Sequence, residues 1–119
     1  MKIAVSSQGT DLDSQVDPRF GRAAYLLIID PVSSEIEVID NAENLNAFKG
    51  AGIQAAALVS DSGAEVLLTG FCGPNAFKTL QAAGVKVAND VTGTVRDALK
   101  ALKEGSVSFA DDANVEGQW

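Results

Sequence analysis

Few residues of this 119-residue chain can do chemistry, and histidine is not among them. A Ser-His or Cys-His nucleophile pair and an imidazole metal ligand are therefore both excluded. The spacing singles out one thiol, Cys72, in the stretch Thr69-Gly70-Phe71-Cys72-Gly73-Pro74-Asn75; two of the arginines, Arg19 and Arg22, on either side of Phe20-Gly21; and the carboxylates Asp11, Asp13 and Asp17 in the same polar segment. A thiol on a turn at a helix N-terminus can have a lowered pKa and ligate a soft metal, whereas the same thiol in an apolar setting is a small hydrophobe. The arginines either pair with the nearby aspartates or supply the cationic part of an anion site, for which the planar guanidinium is suited. The three aspartates lack the glycine and terminal glutamate of a calcium loop and read as solvated loop acids. Two-metal nuclease chemistry needs carboxylates on adjacent strand ends, and the first strand carries none.

The phosphate-binding motifs are absent or out of place. Gly50-Ala51-Gly52-Ile53-Gln54-Ala55 matches G-x-G-x-x-A in form, but it follows a long loop rather than a strand, and the run at 65–68 ends in Thr69-Gly70 without an acid. There is no G-x-x-x-x-G-K-[ST], which argues against a P-loop nucleotidase. An enzyme acting on a small phosphorylated ligand is disfavoured because no general base is apparent.

These residues need elements to place them. Residues 2–6 read as a short, central strand, and residues 7–21 as a long polar loop of the kind that carries function and is mobile without ligand. Residues 25–29 and 35–39 form a hairpin across Asp30-Pro31-Val32-Ser33-Ser34. After a second polar loop, 41–52, also expected to be mobile, residues 53–60 make an alanine-rich helix ending near Gly63. A buried strand at 65–68 leads through the Cys72 turn to a helix with Pro74 in its first turn, Phe77 and Leu80 on its apolar side and Gly84 at its end. Residues 85–88 give a fifth strand. A last helix starts within 90–94, capped by Thr92 or Thr94, carries Val95, Leu99 and Leu102 on one face and ends at Gly105.

With right-handed crossovers, the loops 7–21, 41–52, 70–75 and 89–93 emerge at one edge of the sheet. Three helix N-termini, near Gly52, Pro74 and Gly93, then point to one crevice, where backbone N–H groups and helix dipoles favour an anion. Bulk properties agree that such an anion must be held locally: a net charge of −7 disfavours nucleic acid and anionic membranes as partners. The single cysteine forms no internal disulfide, and neither a membrane span nor a secretory leader is read, so the cytoplasm is the default. Residues 1–107 are expected to be one α/β domain and 108–119 a flexible acidic tail with Asp111, Asp112, Glu116 and Trp119.

Pro18-Arg19-Phe20-Gly21-Arg22-Ala23, Gly50-Ala51-Gly52-Ile53, Thr69-Gly70 with Gly73-Pro74-Asn75-Ala76, Ala83-Gly84-Val85-Lys86-Val87 and Thr94-Val95-Arg96-Asp97-Ala98 occur in an order and spacing that resembles the dinitrogenase iron-molybdenum cofactor biosynthesis family. That family includes NifX-type carriers and the C-terminal part of NifB, and within it the chain is most similar to the orange-protein branch of sulfate-reducing bacteria. The resemblance implies a ribonuclease-H-like three-layer α/β fold, with a mixed five-stranded sheet, one antiparallel strand and about three helices. It also implies non-covalent carriage of an anionic metal-sulfur cluster, either a molybdenum-copper sulfide or an iron-molybdenum type, rather than catalysis. Family members acting on the nitrogenase cofactor often have histidine before Phe-Gly; here Arg19 stands there, which leaves electrostatic and hydrogen-bonded capture. The candidate cofactor-binding residues are Ser6, Ser7, Arg19, Phe20, Gly21, Arg22, Gly50, Gly52, Ile53, Thr69, Gly70, Cys72, Gly73, Pro74, Asn75 and Thr92, with Cys72 the candidate metal ligand. The alternative is a metal-free regulatory or scaffold module that binds another cytoplasmic protein through the same edge.

Overall fold

A computed structural model describes residues 1–41 and 50–110. The expectations for the rest of the second loop and for residues 111–119, Trp119 included, fall outside the described residues. Among the described residues, five strands, β1 (Lys2–Ser7), β2 (Tyr25–Ile29), β3 (Ile36–Asp40), β4 (Ala64–Leu68) and β5 (Lys86–Ala88), and three helices, α1 (Ala51–Asp61), α2 (Pro74–Ala82) and α3 (Val95–Lys103), follow the anticipated order.

The strands form one sheet in the order β3-β2-β1-β4-β5. β1 pairs parallel with β4 and β4 with β5, while β2 is antiparallel to both its neighbours, so β2 alone runs against the rest. This mixed sheet fits a ribonuclease-H-like arrangement. As the middle strand β1 is covered on both faces, and Ile3 to Ser7 are all buried. Ala4, Leu26, Ile28, Leu67 and Val87 point to one side, where Ala55, Ala56 and Val59 of α1 and Phe77 and Leu80 of α2 complete a core. Ile3, Val5, Leu27, Ile29, Val66, Leu68 and Ala88 point to the other, against Val95 and Ala98 of α3. The alternation of side chains along each strand thus divides the molecule into three layers. Ala55 and Ala56 of α1 are fully buried where the helix meets the sheet.

The differences from expectation are local. α1 starts at Ala51, immediately after Gly50, whose φ of 83° makes it a left-handed N-cap. β5 starts at Lys86 because the Val85 N–H bonds back to the Leu80 carbonyl (2.9 Å) and closes the end of α2. Thr94, not Thr92, caps α3: its hydroxyl accepts from the Asp97 N–H while the Asp97 carboxylate accepts from the Thr94 N–H, a reciprocal capping box.

The segment 7–21 is no loose surface loop. Leu12 and Val16 are apolar, and they pack into the core on the α3 side, drawing the chain across that face. The Gln8 N–H bonds to Gln15 O (2.9 Å) and the Val16 N–H to Gly93 O (2.9 Å). Among the described residues no helix is long and apolar enough to cross a membrane.

Candidate functional site

The site is built around the end of that segment. Asp17 joins β1 through its N–H to Ser6 O (2.8 Å) and through its carbonyl, which accepts from the Ser6 hydroxyl (2.7 Å). Since a carbonyl only accepts, the Ser6 proton is committed, and the Thr69 hydroxyl, also 2.7 Å from Ser6 Oγ, must be the donor in that pair. Ser6 and Thr69, at the ends of adjacent parallel strands, are fully buried. They lock the strand ends together beneath the rim.

From Asp17 the chain passes over the end of β4. The Phe71 N–H donates to Pro18 O (2.6 Å) and the Phe20 N–H to Phe71 O (3.1 Å), a short parallel bridge that holds Arg19 beside the turn leading to α2. The approach is close enough that a Cβ on Gly70 would stand 2.7 Å from the Pro18 backbone. Phe20 drops into the core as an anchor, 1% exposed. Gly21 then lies against the first turn of α1, and the buried Asn41 amide donates to the carbonyls of Gly21 (3.3 Å) and Ala23 (2.8 Å). One strap, residues 17–22, is thereby pinned to β1, the β4–α2 turn, the α1 N-terminus and the end of β3.

The strap lies between two helix N-termini of unusual composition. α1 has Gly50 and α2 has Gly73 as N-cap; neither has a side-chain cap and neither has an acidic residue in its first turn. The amides of Ala51, Gly52 and Ile53 in α1 and of Asn75 and Ala76 in α2 have no intrahelical acceptor by helix geometry, and both dipoles present their positive ends here. Pro74 at the first position of α2 takes the place of an N–H with no intrahelical acceptor.

The third N-terminus behaves differently, which corrects the expectation of three. At α3, Val95 N donates to Ser14 O (2.9 Å) and Arg96 N to Leu12 O (2.8 Å), and the capping box takes the amides of Thr94 and Asp97. Every amide of that turn is spoken for. Thr92 lies on the α3 side of the sheet and lines a cavity of about 370 Å³ with Asn89, Asp90, Ala98 and Ala101. A more apolar cavity of about 560 Å³, bounded by Ile3, Ile29, Leu99 and Leu102, lies toward the opposite end of the sheet and shares no residue with the strap.

Cys72 is fully buried in the core on the α1–α2 side, and its thiol points toward the Gly73 carbonyl (3.7 Å). Burial pushes the thiol up to about 12, so at neutral pH it stays protonated. This is the environment of a small hydrophobe. Among the described residues no group of three or more histidines, cysteines, aspartates or glutamates is arranged to hold a metal ion.

Arg19 is half-exposed at the rim, its Nε 4.0 Å from Asp17 Oδ1, whereas Asp13 pairs instead with Arg96 (3.2 Å). Asp17 is not a solvated loop acid: it is 4% exposed, and its Oδ1 also accepts from the Arg19 N–H (3.0 Å). The structure therefore sorts the candidate residues by depth. Arg19, Arg22, Gly50, Gly52, Ile53, Gly73, Pro74 and Asn75 are exposed or partly exposed, while Ser6, Ser7, Phe20, Gly21, Thr69, Gly70 and Cys72 are buried. Sequence reasoning missed Asp17 and Asn41 as organising groups. The Asp-Pro-Arg order was a usable signal, since an aspartate that bonds the N–H two residues on is a common turn device; the Asn41 contacts have no local signature.

The dinitrogenase iron-molybdenum cofactor family matches residues 1–105. Among solved structures, the chain is 46% identical to the apo form of the orange protein from Desulfovibrio gigas over 96% of each chain, with a TM-score of 0.93. It is 38% identical to a Thermotoga protein provisionally named NifB, over 98% of each chain, with a TM-score of 0.83. A protein from Methanocaldococcus jannaschii, provisionally named a dinitrogenase, is 18% identical over 94% of this chain and 96% of that one, with a TM-score of 0.66, which shows a common fold. No curated protein matches the chain.

Proposed function

The chain belongs to the dinitrogenase iron-molybdenum cofactor family, and from that premise we propose that it binds and carries a preassembled anionic metal-sulfur cluster at the rim formed by the strap and the N-termini of α1 and α2. The observation that carries this reading is the composition of those two helix starts. Glycine caps and the absence of any first-turn acid leave amide hydrogens without an intrahelical acceptor, and positive dipole ends without a compensating carboxylate, beside the strap of a chain whose net charge is −7. A negatively charged guest fits that donor set, and Arg19 and Arg22 add guanidinium donors beside it.

The cluster is cargo and not a catalytic centre. Backbone N–H groups and guanidiniums hydrogen-bond its outer sulfur atoms, and the fixed strap orients them before the cargo arrives. The buried, protonated Cys72 takes no part as a ligand. Among the described residues the carboxylate nearest the rim, Asp17, is buried and already accepts the Arg19 N–H, which suits it to holding the strap rather than to acting as a general base. The favoured cargo is a molybdenum-copper sulfide cluster, as the likeness to the orange protein suggests, ahead of an iron-molybdenum type. Incubating the protein anaerobically with tetrathiomolybdate and copper tests the proposal: visible absorption should appear and co-elute with the protein. A colourless protein peak would overturn it.

A further inference from the structure

Asp17 and Arg19 share one turn but sit in different surroundings, and the difference suggests how the rim is kept in the absence of cargo. The Asp17 side chain is 6% exposed and the Arg19 side chain 49% exposed. Asp17 cannot follow Arg19 outward, because its N–H and carbonyl are both bonded to Ser6 and its Oδ1 accepts the Arg19 N–H. Its reach to Arg19 Nε, at 4.0 Å, is by contrast at the outer limit of an ion pair. A buried carboxylate needs a partner, and an exposed guanidinium is held only weakly by one.

Resting on the carrier reading, we propose that Asp17 is a resident counter-anion of Arg19, and that loading shifts the guanidinium from this carboxylate to the incoming anionic cargo. Asp17 thus has two separable jobs. Its oxygen holds the strap's turn, and its charge competes with the cargo for Arg19 and moderates how tightly the cargo is held, so that release stays possible.

Asp17→Asn separates the two, since the amide oxygen still accepts the Arg19 N–H while the charge is gone. In equilibrium titrations with the molybdenum-copper sulfide cluster, D17N should bind about fivefold or more tightly than the parent. The gain should vanish in an Arg19→Ala background. Equal affinity of D17N and parent overturns the inference, and so does a gain that persists without Arg19, which would make Asp17 a general repulsive charge. A parent protein that takes up no cluster sinks the carrier reading instead. The pairing itself is then still tested without cargo: the Arg19 Nε chemical shift should respond to added salt in the parent and lose that response in D17N, and the same response in both overturns it.

Discussion

Gly21 lies against the first turn of α1 so closely that a Cβ on it would stand 2.8 Å from both the Cα and the backbone nitrogen of Gly52. Both partners in this contact are backbone, with no side-chain end to swing aside. The strap is therefore fitted to the N-terminus of α1 by the absence of a side chain at Gly21, and Arg19 and Arg22 take their places on the rim from that fit.

Gly21→Ala should for this reason cost about 1–3 kcal/mol of stability through overpacking. It should also lower cluster uptake at temperatures where the protein is still folded, because the strap must lift from α1. Denaturant unfolding together with the anaerobic reconstitution measures both. A variant with parent-like stability and uptake would mean that the contact relaxes freely.

Asn75→Asp should move stability and binding in opposite directions. An acid in the first turn of α2 interacts favourably with the helix dipole, by about 0.3–1 kcal/mol, but it puts a negative charge where the cargo's charge is to be held. A raised melting temperature with weakened cluster binding is the expected pair of results. Thr94→Ala is the control at the closed helix start: loss of the capping box should cost about 1 kcal/mol and leave uptake unchanged.

The Cys72 thiol gives a prediction in pH. Its folded value of about 12 lies above the ordinary value of 9.0, so between these the folded chain holds a proton that the unfolded chain has lost. The resulting stability is fully present below pH 9 and is lost as pH rises toward 12, with a slope of about 1.4 kcal/mol per pH unit. Cys72→Ala removes this slope, which the difference between the two stability curves isolates, and it should leave cluster uptake intact at neutral pH. Loss of uptake in a folded Cys72→Ala protein would restore the thiol as a ligand.

Much of this arrangement was legible in the residues. Ile3 and Val5, the apolar runs of the hairpin and Val66 to Leu68 announce strands, and Gly50, Pro74 and Gly84 mark helix ends close to where they occur. Strand direction followed from hairpin and crossover lengths. What escaped is what depends on contacts distant in sequence. Val16 bonds to Gly93 and Ser14 to Val95, and these closures remove the α3 N-terminus from the site. Nothing near Thr94 signals that its neighbours' amides are taken by a segment some eighty residues earlier. Asp17 looked like Asp11 and Asp13 because all three stand in a polar stretch; what sets it apart is that its N–H and carbonyl both bond Ser6 at the buried end of β1.

The central claim is that the guest is held by the amides at the starts of α1 and α2. Backbone amide NMR spectra of the protein with and without the molybdenum-copper sulfide cluster test this most directly. The account predicts the largest shifts at Ala51, Gly52, Ile53, Asn75 and Ala76 together with Arg19 to Arg22, and little change at Thr94 to Asp97. Shifts concentrated instead around Leu99 and Leu102 at the far end of the sheet, with the two open helix starts undisturbed, would contradict it.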